Sequence, residues 1–178
     1  MYTAVIEFWF KDIDKSQWWV KDENFDKLIH TRFLDLHKQA INCELYEWRK
    51  TALGRLAEVI VLDQFSRNIY RDMPQAFAYD AQALVLSQEA IAGNIDHELS
   101  LEQRSFLYMP FMHSESAVIH KRAEAIFSDL GVESTLKFEQ KHKEIIDRFG
   151  RYPHRNKILN RESSEEERVF LTQPGSSF

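Results

Sequence analysis

Three short polar stretches interrupt apolar surroundings, and their side chains are the ones whose types and spacing could do chemistry. In "VLDQFSRNIYRD" an apolar helical pattern runs into Asp63, Arg67, Asn68 and Arg71. Asp63 and Arg67 are spaced i,i+4, as are Arg67 and Arg71, so each pair shares a helix face. One reading is an Asp–Arg pair that orients the helix end, where arginines complement the negative pole of the dipole. The other places Arg67, Asn68 and Arg71 around an anionic group, which guanidinium forks and an amide suit well.

In "YMPFMHSES", Pro110 breaks an apolar run and His113, Ser114 and Glu115 follow at once. Ser114 fits a cap for the next helix. A His beside a carboxylate can serve as general acid or base, or as half of a metal site, and the pair alone is a weak signal for either. In "FGRYPHRN", Gly150 suits the left-handed residue that ends a helix and Pro153 forbids its continuation. Backbone geometry does not account for Arg151, His154, Arg155 and Asn156. The last three open the short helical pattern "RNKIL", whose N–H groups would add to an anion site. Structural pairing is the competing explanation, and the catalytic candidates are His113, Glu115 and His154.

These residues need elements to hold them, and the spacing predicts helices nearly throughout. Phe25, Leu28, Ile29, Phe33, Leu36 and Ile41 form one stripe, and Leu45, Trp48, Ala52, Leu56, Val59 and Ile60 another. Ser100 with Gln103 and Ser164 with Glu167 have capping-box spacing. Helices are expected over 115–130, closed by Gly131, and over 134–149, closed by Gly150. A further one lies within "QAFAYDAQALVLSQEAIA", closed by Gly93 and Asn94, with Pro74 after Asp72 as a first-turn proline. The expectation is a single all-α domain over 1–178, with seven to nine helices and short connections. Residues 172–178 are expected as a loose tail, with Phe178 able to dock on a hydrophobic groove.

Composition narrows the function classes. A chain of 178 residues fits one domain, and 13 Phe, 4 Trp and 6 Tyr supply a large core. With 23 Lys and Arg against 28 Asp and Glu the net charge is −5, which argues against a general polyanion-binding surface. Between 141 and 161, however, seven Lys or Arg face two acidic residues, so the chain is strongly polar in charge. That segment either packs over acidic helices or collects an anionic ligand. Cys43 is the only cysteine, which excludes a disulfide framework and a cysteine zinc cluster; its amphipathic surroundings predict a buried, inert thiol. "MYTAVIEFWF" lacks a basic leader and carries Glu7, and no apolar run reaches the ~20 residues of a membrane span, so a cytoplasmic protein is expected.

The order of "FWF", "LDQFSRNIYR", "AFAYDAQAL", "FLYMPFMHSES", "FGRYPHRN" and "RESSEEE" resembles a largely bacterial family, the domain of unknown function 924, over nearly the whole chain. The resemblance implies antiparallel helix pairs in a tetratricopeptide-like right-handed array, and it implies no activity. It carries over Asp63, Gln64, Arg67 and Asn68, then His113, Ser114 and Glu115, then Gly150, Arg151, Pro153, His154, Arg155, Asn156 and Arg161. Three positions depart from the family pattern: Ser66 stands at a usual proline, Asn160 at a usual glycine and Ser116 at a commonly acidic position.

Two functions from different classes compete. One is a binding protein whose Arg/His cluster holds an anionic small molecule or peptide carboxylate. The other is a hydrolase-like enzyme using His113, Glu115 or His154, for which no nucleophile elbow, phosphate loop or zinc motif is present. Weak RNA binding through 141–161 is a third. Neither a metal nor a cofactor is implied, and no membrane partner. The expected arrangement brings Arg67, His113, His154 and Arg155 into one partly buried, anion-accepting pocket.

Overall fold

The computed structural model describes residues 1–177, and among these the chain is helical with no strand. The α-helices are α1 (Tyr2–Glu7), α2 (Glu23–Ile41), α3 (Ala52–Ile60), α4 (Ser66–Ile69), α5 (Asp80–Ala92), α6 (Leu101–Met112), α7 (Ala117–Leu130), α8 (Glu133–Phe149) and α9 (Glu165–Leu171). Short 3-10 and π turns link several of them. The chain divides into two compact units, one of Met1–Arg71 with Gln75–Pro110 and one of Asp72–Pro74 with the residues from Phe111 onward.

The first unit is built on aromatic packing. Asp22 caps α2 by accepting from the N–H groups of Asn24 (2.7 Å) and Phe25 (3.0 Å), and α2 then buries Phe25, Ile29, Phe33, His37 and Ala40 along one face. Phe33 meets Phe65 with ring centroids 4.7 Å apart, and Trp9 meets both Phe65 (5.6 Å) and Phe106 (5.7 Å) edge-on. Thr51 caps α3 through Gly54 N–H, and a Cβ on Gly54 would lie 2.0 Å from the Trp48 carbonyl oxygen, so only glycine permits this approach.

α3 does not stop where the polar motif begins. A π turn over Val61–Phe65 carries the chain directly into α4, and both Asp63 and Gln64 are buried on it. Ser66, the residue at the family's proline position, keeps the helix going: its hydroxyl donates to Leu62 O at 2.6 Å and lies 2.7 Å from His37 Nε2. The Ser100–Gln103 capping box forms as expected, and α6 runs through Pro110 instead of breaking there.

In the second unit α7 and α8 are joined by Gly131 and Val132. Gly131 (φ 74°) and Gly150 (φ 69°) take the left-handed closing conformation that their positions predicted. Asn160 does so too (φ 52°). The Ser164–Glu167 capping box starts α9. Ile145, Ile146 and Tyr152 form a core against which Phe149 and Phe170 pack. Beyond Leu171 the chain turns, with Ser176 N–H donating to Gln173 O. Phe178 lies outside the described residues.

Four local expectations are corrected. Cys43 is exposed, because it follows α2 in a left-handed conformation (φ 59°) instead of lying on a buried helix face. α7 begins at Ala117 with Ser116 at its cap position; Ser114 Oγ accepts from Ser116 N–H (3.3 Å) and does not cap the helix. "RNKIL" begins at the last residue of a 3-10 turn, Pro153–Arg155, and continues in turns over 156–160, so it offers no helix N-terminus. Pro74 opens a separate 3-10 turn, Pro74–Ala76, and α5 starts only at Asp80, although Gly93 and Asn94 (φ 54°) close it as expected.

The first unit also buries a carboxylate. Glu58 is inaccessible, and Arg49 grips it with Nε–H to Oε2 (2.8 Å) and Nη2–H to Oε1 (2.6 Å). Arg49→Met strands that charge and should cost about 3–5 kcal/mol, most of it recovered when Glu58→Leu is added. All four tryptophans (Trp9, Trp18, Trp19 and Trp48) belong to this unit, so urea unfolding followed by tryptophan fluorescence reads both variants directly.

Candidate functional site

The polar side chains of the first motif meet one another and partners elsewhere in their own unit. Arg67 donates from Nη1 to Asp63 O (2.7 Å) and from Nη2 to Asp80 Oδ2 (3.1 Å), and it also lies 3.2 Å from Asp63 Oδ1. The i,i+4 pairing read from the sequence therefore forms, with Asp80 as an addition that no local spacing announces. Asn68 donates to Asp26 Oδ1 (2.9 Å), and Arg71 forks onto the same carboxylate, Nη2 to Oδ1 at 2.6 Å. Gln64 donates to Asp63 Oδ2 (2.6 Å) and reaches Met109 Sδ (3.4 Å).

The other two motifs belong to the second unit, and there they lock together. Glu115 accepts the Tyr152 N–H on Oε1 (2.8 Å) and receives both arms of Arg161, Nη1 to Oε2 at 2.6 Å and Nη2 to Oε1 at 2.9 Å. Burial alone pushes this carboxyl up, but Arg161, the Tyr152 N–H and the charge of Arg155 outweigh it and hold Glu115 below its ordinary range. Arg161 also donates from Nε to Asn156 Oδ1 (3.0 Å), and Asn156 in turn donates to Ser163 Oγ (3.1 Å). Asn156 is thereby assigned to the network around the bend. Arg151 forks onto Glu167 (2.6 and 2.8 Å) and donates to Glu162 O.

Tyr152 is the hub. Its side chain is fully buried, and its hydroxyl donates to Met112 O at 2.5 Å, satisfying a carbonyl at the end of α6 that has no helical partner. His120, also buried, lies 2.7 Å from Glu139 Oε1 through Nδ1, 2.8 Å from Ser114 O through Nε2, and 3.2 Å from the Tyr152 hydroxyl. Both ring nitrogens thus face acceptors, which requires the His120–Glu139 pair to hold two protons between them. Burial raises the Glu139 carboxyl, with His120 opposing the rise, and Glu139 Oε2 accepts no hydrogen bond in its buried position.

Around this hub sit further imidazoles. His142 donates from Nδ1 to Phe138 O (2.8 Å) and meets the Tyr152 ring edge-on at 5.7 Å. Burial pushes His142 down to about 3, and His113, His120 and His154 add to the fall against the Phe138 bond. His154 lies 5.5 Å from the Tyr152 ring, and the Arg155 guanidinium covers that ring at 4.6 Å. Three imidazoles, those of His120, His142 and His154, and one guanidinium therefore adjoin a single phenol.

Among the sequence candidates, His113, Glu115, Arg151, His154, Arg155 and Asn156 belong to the second unit, while Asp63, Gln64, Arg67, Asn68 and Arg71 belong to the first. Sequence reasoning missed His120, Glu139 and His142. The available signal was a polar residue in an apolar stripe: His120 falls in line with Ala123 and Phe127 on α7, and Glu139 with His142 and Ile146 on α8. No cluster suited to holding a metal ion occurs among the described residues.

An all-α chain bearing these interlocked motifs belongs to the family described as bacterial protein of unknown function (DUF924), whose pattern matches residues 5–175. It is similar to a solved structure, that of the protein of unknown function ATU0120 from Agrobacterium tumefaciens. The two are 38% identical over 96% of each chain, with a TM-score of 0.91. No curated protein matches. No helix among the described residues is long and apolar enough to cross a membrane.

The Arg151–Glu167 pair gives a pH dependence. Arg151, together with Ser164 N–H and Asn156, holds Glu167 down at about 2 against the upward push of burial. A carboxyl depressed in the folded state adds stability above its ordinary value near 4.5, and that contribution is lost as pH falls towards about 2. An acid titration followed by NMR should show α9 resonances native down to about pH 4 and fading below it. Glu167→Gln should be less stable at neutral pH and much flatter across the same window.

Proposed function

We propose that this is a cytoplasmic binding protein that holds an anionic small molecule or a peptide carboxylate at the imidazole- and guanidinium-rich surround of Tyr152. The observation that carries the reading is the gathering of His142 and His154 with Arg155 about one ring, with His113 near enough to act on His142, where both nearby carboxylates are already engaged, Glu115 by Arg161 and Glu139 by His120. An incoming anion there meets imidazole and guanidinium donors without a competing uncompensated carboxylate. The net charge of −5 favours a small anion over a polyanion such as RNA. The acid–base alternative loses support at Glu115, since both of its oxygens are taken and its proton affinity is lowered.

Thermal-shift and calorimetric titrations with phosphate, sulfate and dicarboxylates test the reading. At least one of these should stabilise the wild type. His154→Gln and His113→Gln should keep the unliganded melting temperature and weaken binding on the order of ten- to a hundredfold, the loss expected for one charge-assisted hydrogen bond. Equal responses in wild type and both variants, or no response to any anion, contradict it.

A further inference from the structure

α8 turns its buried face, with Glu139, His142, Ile145 and Ile146, towards the core of the second unit, and its outward face carries a feature that the buried network does not use. Ser134, Lys137, Phe138 and Lys141 follow one another at helical spacing, all exposed, and line a shallow hollow of about 210 Å³. Phe138 is 54% exposed at its floor. An aromatic ring left this open in the middle of a helix, away from any chain end, is surface that water solvates poorly.

The walls are cationic. The Lys141 ammonium stands over the Phe138 ring, 5.8 Å from its centroid, and the residue as a whole is exposed. Among the described residues no acidic side chain pairs with it, whereas Lys137 pairs with Glu133 across exposed surface (2.6 Å), a contact that solvent screens and a competing carboxylate can replace. Lys141 also opens the 141–161 stretch, the one strongly basic segment of an otherwise acidic chain.

We propose that this face of α8 is a docking site for an acidic amphipathic helix of another protein, with one aromatic or aliphatic side chain seated on Phe138 and carboxylates one turn to either side reaching Lys137 and Lys141. Two features choose this occupant. The stripe runs at i, i+3, i+4 and i+7, which a second helix laid along it can follow turn by turn. Its charge is complementary to an acidic segment and repels a basic one.

The test is an NMR titration of isotopically labelled full-length protein with a short synthetic helical peptide carrying one Phe between Glu residues a turn to either side. Shifts should be confined to 134–141 and shrink as salt is raised. Affinity should fall about tenfold for Phe138→Ser and for Lys141→Gln, the size of one lost anchor. Both positions are exposed, so both variants should fold as the wild type does. Swapping the peptide's Glu residues for Lys should abolish binding. The proposal is overturned if the Lys peptide binds as well, if the shifts fall outside this stripe, or if no peptide binds. It is overturned equally if the stripe's resonances change on dilution of the protein alone, which would mean that a second copy covers the face.

Discussion

A charged or hydrogen-bonding side chain can enter an interior this rich in aromatic rings only if its partner enters with it, and that constraint organises both units. Glu58 is buried because Arg49 reaches it, Asp63 because Arg67 and Gln64 do, and His120 because Glu139 lies across the α7–α8 contact. Each pair joins parts of the chain that apolar packing alone would leave able to slide. Aliphatic and aromatic contacts hold the helices together, and the polar pairs fix which residues face which.

In the second unit the same constraint is applied to the main chain. Where α6 ends and α7 has yet to begin, the backbone presents carbonyls that no helix satisfies. Tyr152 and His120 supply donors to Met112 O and Ser114 O, while Glu115 reaches back to take the Tyr152 N–H. The bend after α6 and the bend after α8 are therefore built from each other's atoms. This reciprocity explains why a proline-containing turn and a histidine-serine-glutamate turn are both crowded with polar residues, although neither stretch gives the reason by itself. It also leaves the imidazoles and Arg155 gathered on one ring, the setting on which the proposed anion binding rests.

Much of the fold was legible because its signals are local. Gly131, Gly150 and the Ser164–Glu167 box act on their own backbone, and their positions could be read directly. The all-α class followed from apolar spacing. What was not legible depended on distance or on an unusual turn. Arg161 finds Glu115 across 46 positions, and Asp26 collects Asn68 and Arg71 from more than 40 positions away, so nothing in either neighbourhood announces the partner. The π turn at Val61–Phe65 was unreadable for another reason: apolar residues continue through it at nearly helical spacing, and the extra residue shows only in which side chains turn inward. Cys43 was misplaced because α2 ends with its apolar stripe at Ile41, and Cys43 falls in the turn before the next stripe, in a left-handed conformation.

The central claim is that the motifs of the second unit form one energetically coupled network and are not a set of independent surface pairs. A double-mutant cycle on Glu115→Gln and Arg161→Met, with urea unfolding followed through NMR resonances of the second unit, measures that coupling most directly. The network predicts an interaction energy of about 1.5–3 kcal/mol, since removing either partner leaves the other's half-buried charge without its counter-charge. Effects that add to within about 0.5 kcal/mol would contradict it.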